Sequence, residues 1–132
     1  EVMILNGDTY VEVDHKQMLE KHRTGQHDFS IALMHMENPY RYGSVISLPE
    51  TDQVIAFKEK KDTITAAFIN CGTYILNKDV QEHFPKEEKW SFETDFMERK
   101  VGELYFGPYK GVNRFIDIGI PEDYERATAF FS

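Results

Sequence analysis

The sequence predicts an α/β fold built on a mixed sheet. Three observations carry that expectation. Apolar β-rich runs alternate with helical stretches through the first third of the chain, the order that α/β domains show. Two short β-rich runs, Val45–Leu48 and Val54–Phe57, flank Pro49-Glu50-Thr51-Asp52, turn chemistry that predicts a hairpin and so an antiparallel pair. The composition is globular, with 41% hydrophobic and 29% charged residues, and 132 residues suffice for one domain over 1–132 with a real core.

Each element follows from local chemistry. Val2–Leu5 is a continuous apolar stretch that suits a strand covered on both faces, and it stops at Asn6-Gly7-Asp8. Asp14 is an N-cap for a helix through about Arg23, ended by Gly25, with Met18 and Leu19 on its inner face and His15 and His22 beside them. Phe29–Met36 reads as a strand. Ile64–Leu76 is a long β-rich segment broken at Asn70-Cys71-Gly72, where a glycine inside a strand pattern signals a bulge or a close backbone approach. Asn77 caps a short helix to about Phe84, which Pro85 stops. Ser91 opens a helix to about Val101, with Gly102 as its stop. Leu104–Tyr109 and Arg114–Ile118 read as strands, and Pro121 begins a final helix with acidic Glu122 and Asp123 in its first turn.

Several function classes are disfavoured. A net charge of −8 has the wrong sign for a generally basic nucleic-acid-binding domain. The lone Cys71 excludes an intrachain disulfide and disfavours zinc; it reads as a small core residue. The longest apolar runs, Val2–Leu5 and Ala66–Ile69, are far shorter than the roughly 20 residues of a membrane span, so no membrane partner is expected and the expected location is the cytoplasm. The chain opens Glu1-Val2-Met3-Ile4-Leu5, already inside a β-rich run, which predicts the back part of a longer protein; a trimmed leader reads the same way.

Three features carry candidate chemistry. Asp8 directly follows an apolar strand, at the carboxyl edge of a sheet, where open α/β folds place ligands, and Gly7 permits close approach to the backbone. A plain strand-ending turn reads the same residues equally well. Asp117 stands between Ile116 and Ile118, so it needs a partner or cation if buried, or it is a solvated strand position. Asp8 and Asp117 are hard oxygen donors of the kind Mg²⁺ takes. Phe57-Lys58-Glu59-Lys60-Lys61 interrupts an acidic chain with lysines competent to meet phosphate, or forms a solvated strand end. The histidines show no ligand spacing, and no Gly-rich phosphate loop occurs in these residues.

Leu5-Asn6-Gly7-Asp8, Arg41-Tyr42-Gly43, Phe57-Lys58-Glu59-Lys60, Ile69-Asn70-Cys71-Gly72-Thr73-Tyr74, Ser91-Phe92-Glu93-Thr94-Asp95-Phe96 and Phe115–Tyr124 occur in that order. Together they resemble the sugar-phosphate nucleotidylyltransferases, or nucleoside-diphosphate-sugar pyrophosphorylases, across nearly all of the chain. Within that family the wording resembles most the bacterial D-glycero-α-D-manno-heptose 1-phosphate guanylyltransferases.

The resemblance implies a Rossmann-like mixed sheet with flanking helices. It implies an enzyme that joins a sugar 1-phosphate to a nucleoside triphosphate, GTP favoured, giving a nucleotide sugar and pyrophosphate. In that reading Asp8 and Asp117 hold Mg²⁺, and Lys60, the third catalytic residue, meets the sugar phosphate. Glu59 meets the sugar hydroxyls. Asn6 and Gly7, with Tyr42, Gly43, Asn70 and Gly72, line the substrate pocket. The family's Gly-rich loop with Thr, Arg and a downstream Lys, which grips the nucleotide, does not occur in these residues. The expectation is therefore a sheet incomplete for want of the N-terminal nucleotide-binding part, little turnover by these residues alone, and self-association through exposed sheet edge. Two rival readings stay open: a non-catalytic sugar-phosphate-binding module, and a metal-dependent glycosyltransferase-like domain.

Overall fold

The computed structural model describes residues 1–5, 9–37, 44–48, 53–58, 67–112 and 114–117. Its order is β1 (Val2–Leu5), β2 (Thr9–Glu12), α1 (His15–Thr24), β3 (Phe29–Met36), β4 (Ser44–Leu48), β5 (Gln53–Lys58) and β6 (Ala67–Leu76). A 3-10 helix (Lys78–His83), a π-helical segment (Phe92–Met97) running into an α-helical turn (Glu98–Lys100), β7 (Phe106–Tyr109) and β8 (Arg114–Asp117) follow.

The α/β reading holds, with a core that is mainly sheet. The principal sheet runs β5-β4-β6-β3-β7, and β1 also pairs with β6. It is mixed, as expected: β3 and β7 are parallel and the other ladders antiparallel. The predicted hairpin is present, with Val45 opposite Phe57 and Leu48 opposite Gln53; its turn, Pro49–Asp52, lies outside the described residues. The sheet curls enough to bring Phe57 of β5 within 6.4 Å of Phe106 of β7, the two ends of the strand order. A separate antiparallel ribbon joins β2 to β8.

Alternation along the strands loads both faces of the sheet. Phe29, Ile31 and Leu33 of β3 and Tyr74 and Leu76 of β6 meet Val80, Phe96 and Met97 from the helical segments. Phe29 stacks on Phe106 at 4.6 Å, with Phe96 at 5.6 Å edge-on, arrangements that add to plain area burial. On the other face, Ala32, Ile69, Cys71 and Ile75 meet Met18 of α1 and Phe115 of β8. Asp14 caps α1 as predicted, its Oδ1 accepting from Gln17 N at 3.1 Å, and Gly25 follows the last turn.

Four local expectations need correction. Val2–Leu5 is not covered on both faces: Val2 and Ile4 pack on the core, while Met3 and Leu5 are 39% and 58% exposed. An unbroken apolar run fits a half-covered strand equally well. His15 lies exposed at the start of α1, and only Met18 and His22 of that helix are buried. Asn77 makes no side-chain cap to the 3-10 helix; its amide is spent elsewhere, accepting from His22 Nε2 at 2.8 Å and donating to the His27 carbonyl at 3.3 Å. The helix after Ser91 starts as a π-helix, although Ser91 does cap it, accepting from Thr94 N at 3.2 Å. The final helix at Pro121 lies outside the described residues.

Candidate functional site

The ladder between β3 and β6 is regular on both sides of a break near its middle. Ile31 pairs with Tyr74, but the next pair is Leu33 with Asn70, so Cys71, Gly72 and Thr73 face Ala32 alone. A bulge of this kind bends the strand and re-aims its residues. Gly72 takes φ +77°, a left-handed conformation that costs glycine nothing. The Asn70 side chain closes the turn: its Oδ1 accepts from Gly72 N at 2.8 Å, and its Nδ2 donates to the Tyr74 hydroxyl at 2.8 Å. The glycine in the sequence pattern thus marks a real bulge.

β6 is also forked at this point. On the side away from β3, β1 covers Thr73–Leu76, with Leu5 opposite Thr73, and β4 meets β6 at Ser44 opposite Ile69. Between those two pairings lie Asn70, Cys71 and Gly72. Ser44 in turn pairs with Lys58 of β5, and Thr9 of β2 pairs with Asp117 of β8.

Of the candidate residues, Asn70 and Gly72 sit together in the bulge, and Asp117 closes β8. Asn6, Gly7, Asp8, Tyr42, Gly43, Glu59 and Lys60 lie outside the described residues. Their described chain neighbours are informative. Leu5 and Thr9 bracket Asn6–Asp8, Ser44 follows Gly43, and Lys58 precedes Glu59. Leu5 and Ser44 pair with the two residues that flank Asn70–Gly72, and Lys58 pairs with Ser44. Lys58 is exposed.

Electrostatics at the bulge favour neutral groups. Burial pushes the Cys71 thiol up to about 12, so it stays protonated and is no nucleophile. Burial, helped by the charge of Glu93, also raises the Tyr74 phenol above its ordinary range. Tyr74, bonded to the candidate Asn70, was not singled out from sequence. Strand alternation puts it on the same face as Asn70, and that signal was there to be used. Among the described residues no group of three His, Cys, Asp or Glu side chains is placed to hold a metal ion.

The described residues form an α/β domain whose mixed sheet has a forked, bulged strand beside several strand ends. The comparisons with known proteins agree and go further. The chain belongs to the nucleotidyl transferase family, whose model matches residues 1–132. It is 43% identical over 126 residues to the D-glycero-alpha-D-manno-heptose 1-phosphate guanylyltransferase of Aneurinibacillus thermoaerophilus, covering 96% of this chain and 54% of that one. It is 38% identical over 124 residues to the enzyme of the same name from Campylobacter jejuni, covering 94% and 53%. Its fold matches the crystal structure of HddC from Yersinia pseudotuberculosis with TM-score 0.82 and 35% identity, over 98% of this chain and 55% of that one. HddC is also solved complexed with GMP-PN, with TM-score 0.81. The chain spans about half the length of the curated relatives it matches.

Proposed function

We propose that this chain forms the sugar-phosphate and metal side of a sugar-1-phosphate nucleotidylyltransferase, with a heptose 1-phosphate and GTP as the favoured substrates. The observation that carries the proposal is the strand register: Leu5, Ser44 and Lys58, the neighbours of three candidate segments, gather by pairing around Asn70–Gly72. The names of the relatives and the GMP-PN complex of HddC support the substrate classes.

The proposed reaction needs positioning and charge neutralisation more than covalent catalysis. An oxygen of the sugar phosphate attacks the α-phosphorus of the nucleoside triphosphate in line, and pyrophosphate leaves with the bonding electron pair. Lys60 meets the sugar phosphate as a point charge, Glu59 accepts from sugar hydroxyls, and Tyr42, Gly43, Asn6, Gly7, Asn70 and Gly72 line the pocket. Mg²⁺ takes one or two carboxylates and completes its shell with waters and phosphate oxygens, so it needs no cluster of three protein ligands. Asp8 and Asp117 fit that donor set, and the register supports it, because Asp8 is bonded to Thr9 and Thr9 pairs with Asp117. Bound there, the ion would neutralise charge on the phosphates.

Two smaller parts of the proposal concern the setting. Among the described residues β1 pairs only with β6, and Met3 and Leu5 are exposed on it, which supports self-association through this edge. No helix of the described residues is long and apolar enough to cross a membrane, which fits a cytoplasmic location.

The test is titration calorimetry of D-glycero-α-D-manno-heptose 1-phosphate with and without Mg²⁺, on the unaltered chain and on Asp117→Asn. The expected result is binding that Mg²⁺ strengthens about tenfold in the unaltered chain, about 1.4 kcal/mol, and leaves unchanged in Asp117→Asn. Equal Mg²⁺ dependence in both would overturn the metal assignment. A chain that instead hydrolyses or transfers from GDP-sugar would favour the glycosyltransferase-like reading.

A further inference from the structure

The bulge holds one polar side chain in a single orientation with bonding capacity to spare. An amide offers two N–H donors and a carbonyl with two lone pairs. Asn70 spends one lone pair on Gly72 N and one N–H on the Tyr74 hydroxyl, each at 2.8 Å. The Gly72 N–H fixes which end of the amide is oxygen, since only Oδ1 can accept from it. Asn70 is half-buried, and among the described residues it has no further partner. What remains is one donor and one acceptor on the same amide, the complement of a hydroxyl group, which both donates and accepts.

Tyr74 is the anchor of that arrangement. It is 1% exposed, with its ring 5.4 Å from Phe29 and 5.1 Å from Phe92, so its hydroxyl sits at the end of a rigid lever. Burial keeps the phenol protonated and therefore uncharged beside the amide. We propose that Tyr74 is a positioning residue, whose hydroxyl locks the Asn70 amide so that its remaining N–H and lone pair meet a hydroxyl of the sugar 1-phosphate. The inference rests on the proposed function and adds to it a residue that selects for the sugar and leaves the phosphate unread.

The experiment is calorimetry on the whole chain with D-glycero-α-D-manno-heptose 1-phosphate and with inorganic phosphate, for the unaltered chain, Tyr74→Phe, Asn70→Ala and the double variant. Tyr74→Phe keeps the ring and removes only the hydroxyl. It is expected to weaken heptose 1-phosphate binding about tenfold, or about 1.4 kcal/mol, and to leave inorganic phosphate binding unchanged. The double variant is expected to bind no more weakly than Asn70→Ala, because Tyr74 acts through Asn70. Unchanged heptose 1-phosphate binding in Tyr74→Phe, equal losses for both ligands, or additive losses in the double variant would each overturn the inference. The side-chain amide protons of Asn70 in the unaltered chain give a reading that needs no variant. They are expected to shift in NMR spectra on adding heptose 1-phosphate and to stay in place on adding inorganic phosphate; the reverse overturns the inference. An unaltered chain that binds inorganic phosphate but not heptose 1-phosphate overturns the proposed function itself, and the inference with it.

Discussion

At the end of the β3–β6 ladder where Phe29 pairs with Leu76, buried polar side chains are spent on one another; at the break in its middle, between the Ile31–Tyr74 and Leu33–Asn70 pairs, an amide keeps capacity in reserve. The closed end is a chain of hydrogen bonds. Asn77 Nδ2 donates to the His27 carbonyl, so Asn77 Oδ1 must accept, and His22 Nε2 is the donor at 2.8 Å. In the neutral ring, His22 Nδ1 then accepts from the Ser30 hydroxyl at 2.7 Å, which leaves Ser30 Oγ to accept from His27 Nδ1 at 3.0 Å. The bonds run in one direction and tie α1, β3 and the exit of β6 together. The contrast teaches where this fold invests its polar groups: the closed end secures the sheet to its helix, and the break keeps an amide's bonding capacity unspent.

The largest expected effect breaks the closed end. Gly107 lies against the His27 ring, and a Cβ there would fall inside the ring's van der Waals surface. His27 is buried and hydrogen-bonded to Ser30, so it has little room to retreat. Gly107→Ala is expected to cost about 3 kcal/mol in chemical denaturation, the upper part of the range for overpacking, with heptose 1-phosphate affinity of the folded chain unchanged. Gly72→Ala sharpens the contrast from the break. A left-handed alanine costs about 1–2 kcal/mol, a smaller loss of stability, and here ligand affinity should fall as well. If both variants lost stability and affinity in the same proportion, the closed end and the break would not be functionally distinct.

The smallest effect at neutral pH belongs to the Cys71 thiol, which is protonated in both folded and unfolded chains. Folding raises its pKa from the ordinary value near 9 to about 12, so the unfolded chain gives up its proton first. Stability from this group is complete below about pH 9 and is lost as pH climbs toward 12. Thermal melts across that window should therefore decline less steeply for Cys71→Ala than for the unaltered chain. Equal slopes would place the thiol in water.

Local signals were legible where one residue type answers one backbone need. Asp14 at the start of α1 and Gly72 in the bulge are of that kind. Signals failed where tertiary contacts outbid local ones. Asn77 reads as a cap, but the buried imidazole of His22 claims its amide oxygen. The run Val2–Leu5 reads as fully covered because composition does not reveal how many faces a strand buries. The site shows the same division. The bulge at Gly72 is legible from its own stretch and Asn70 and Gly72 become candidates through the family resemblance, whereas their proximity to Leu5, Ser44 and Lys58 depends on register between strands distant in sequence, which no local pattern encodes. Tyr74 escaped because a buried aromatic reads first as core, and its bond to Asn70 depends on the bulge.

The most direct measurement is a backbone-amide NMR titration of the chain with heptose 1-phosphate and Mg²⁺. Shifts are expected at Leu5, Thr9, Ser44, Lys58, Asn70, Gly72 and Asp117, with the amides of His22, His27, Ser30 and Asn77 left in place. Shifts that cluster on the His22 side of the sheet, or that leave Asn70 and Gly72 untouched, would contradict a ligand site at the forked strand.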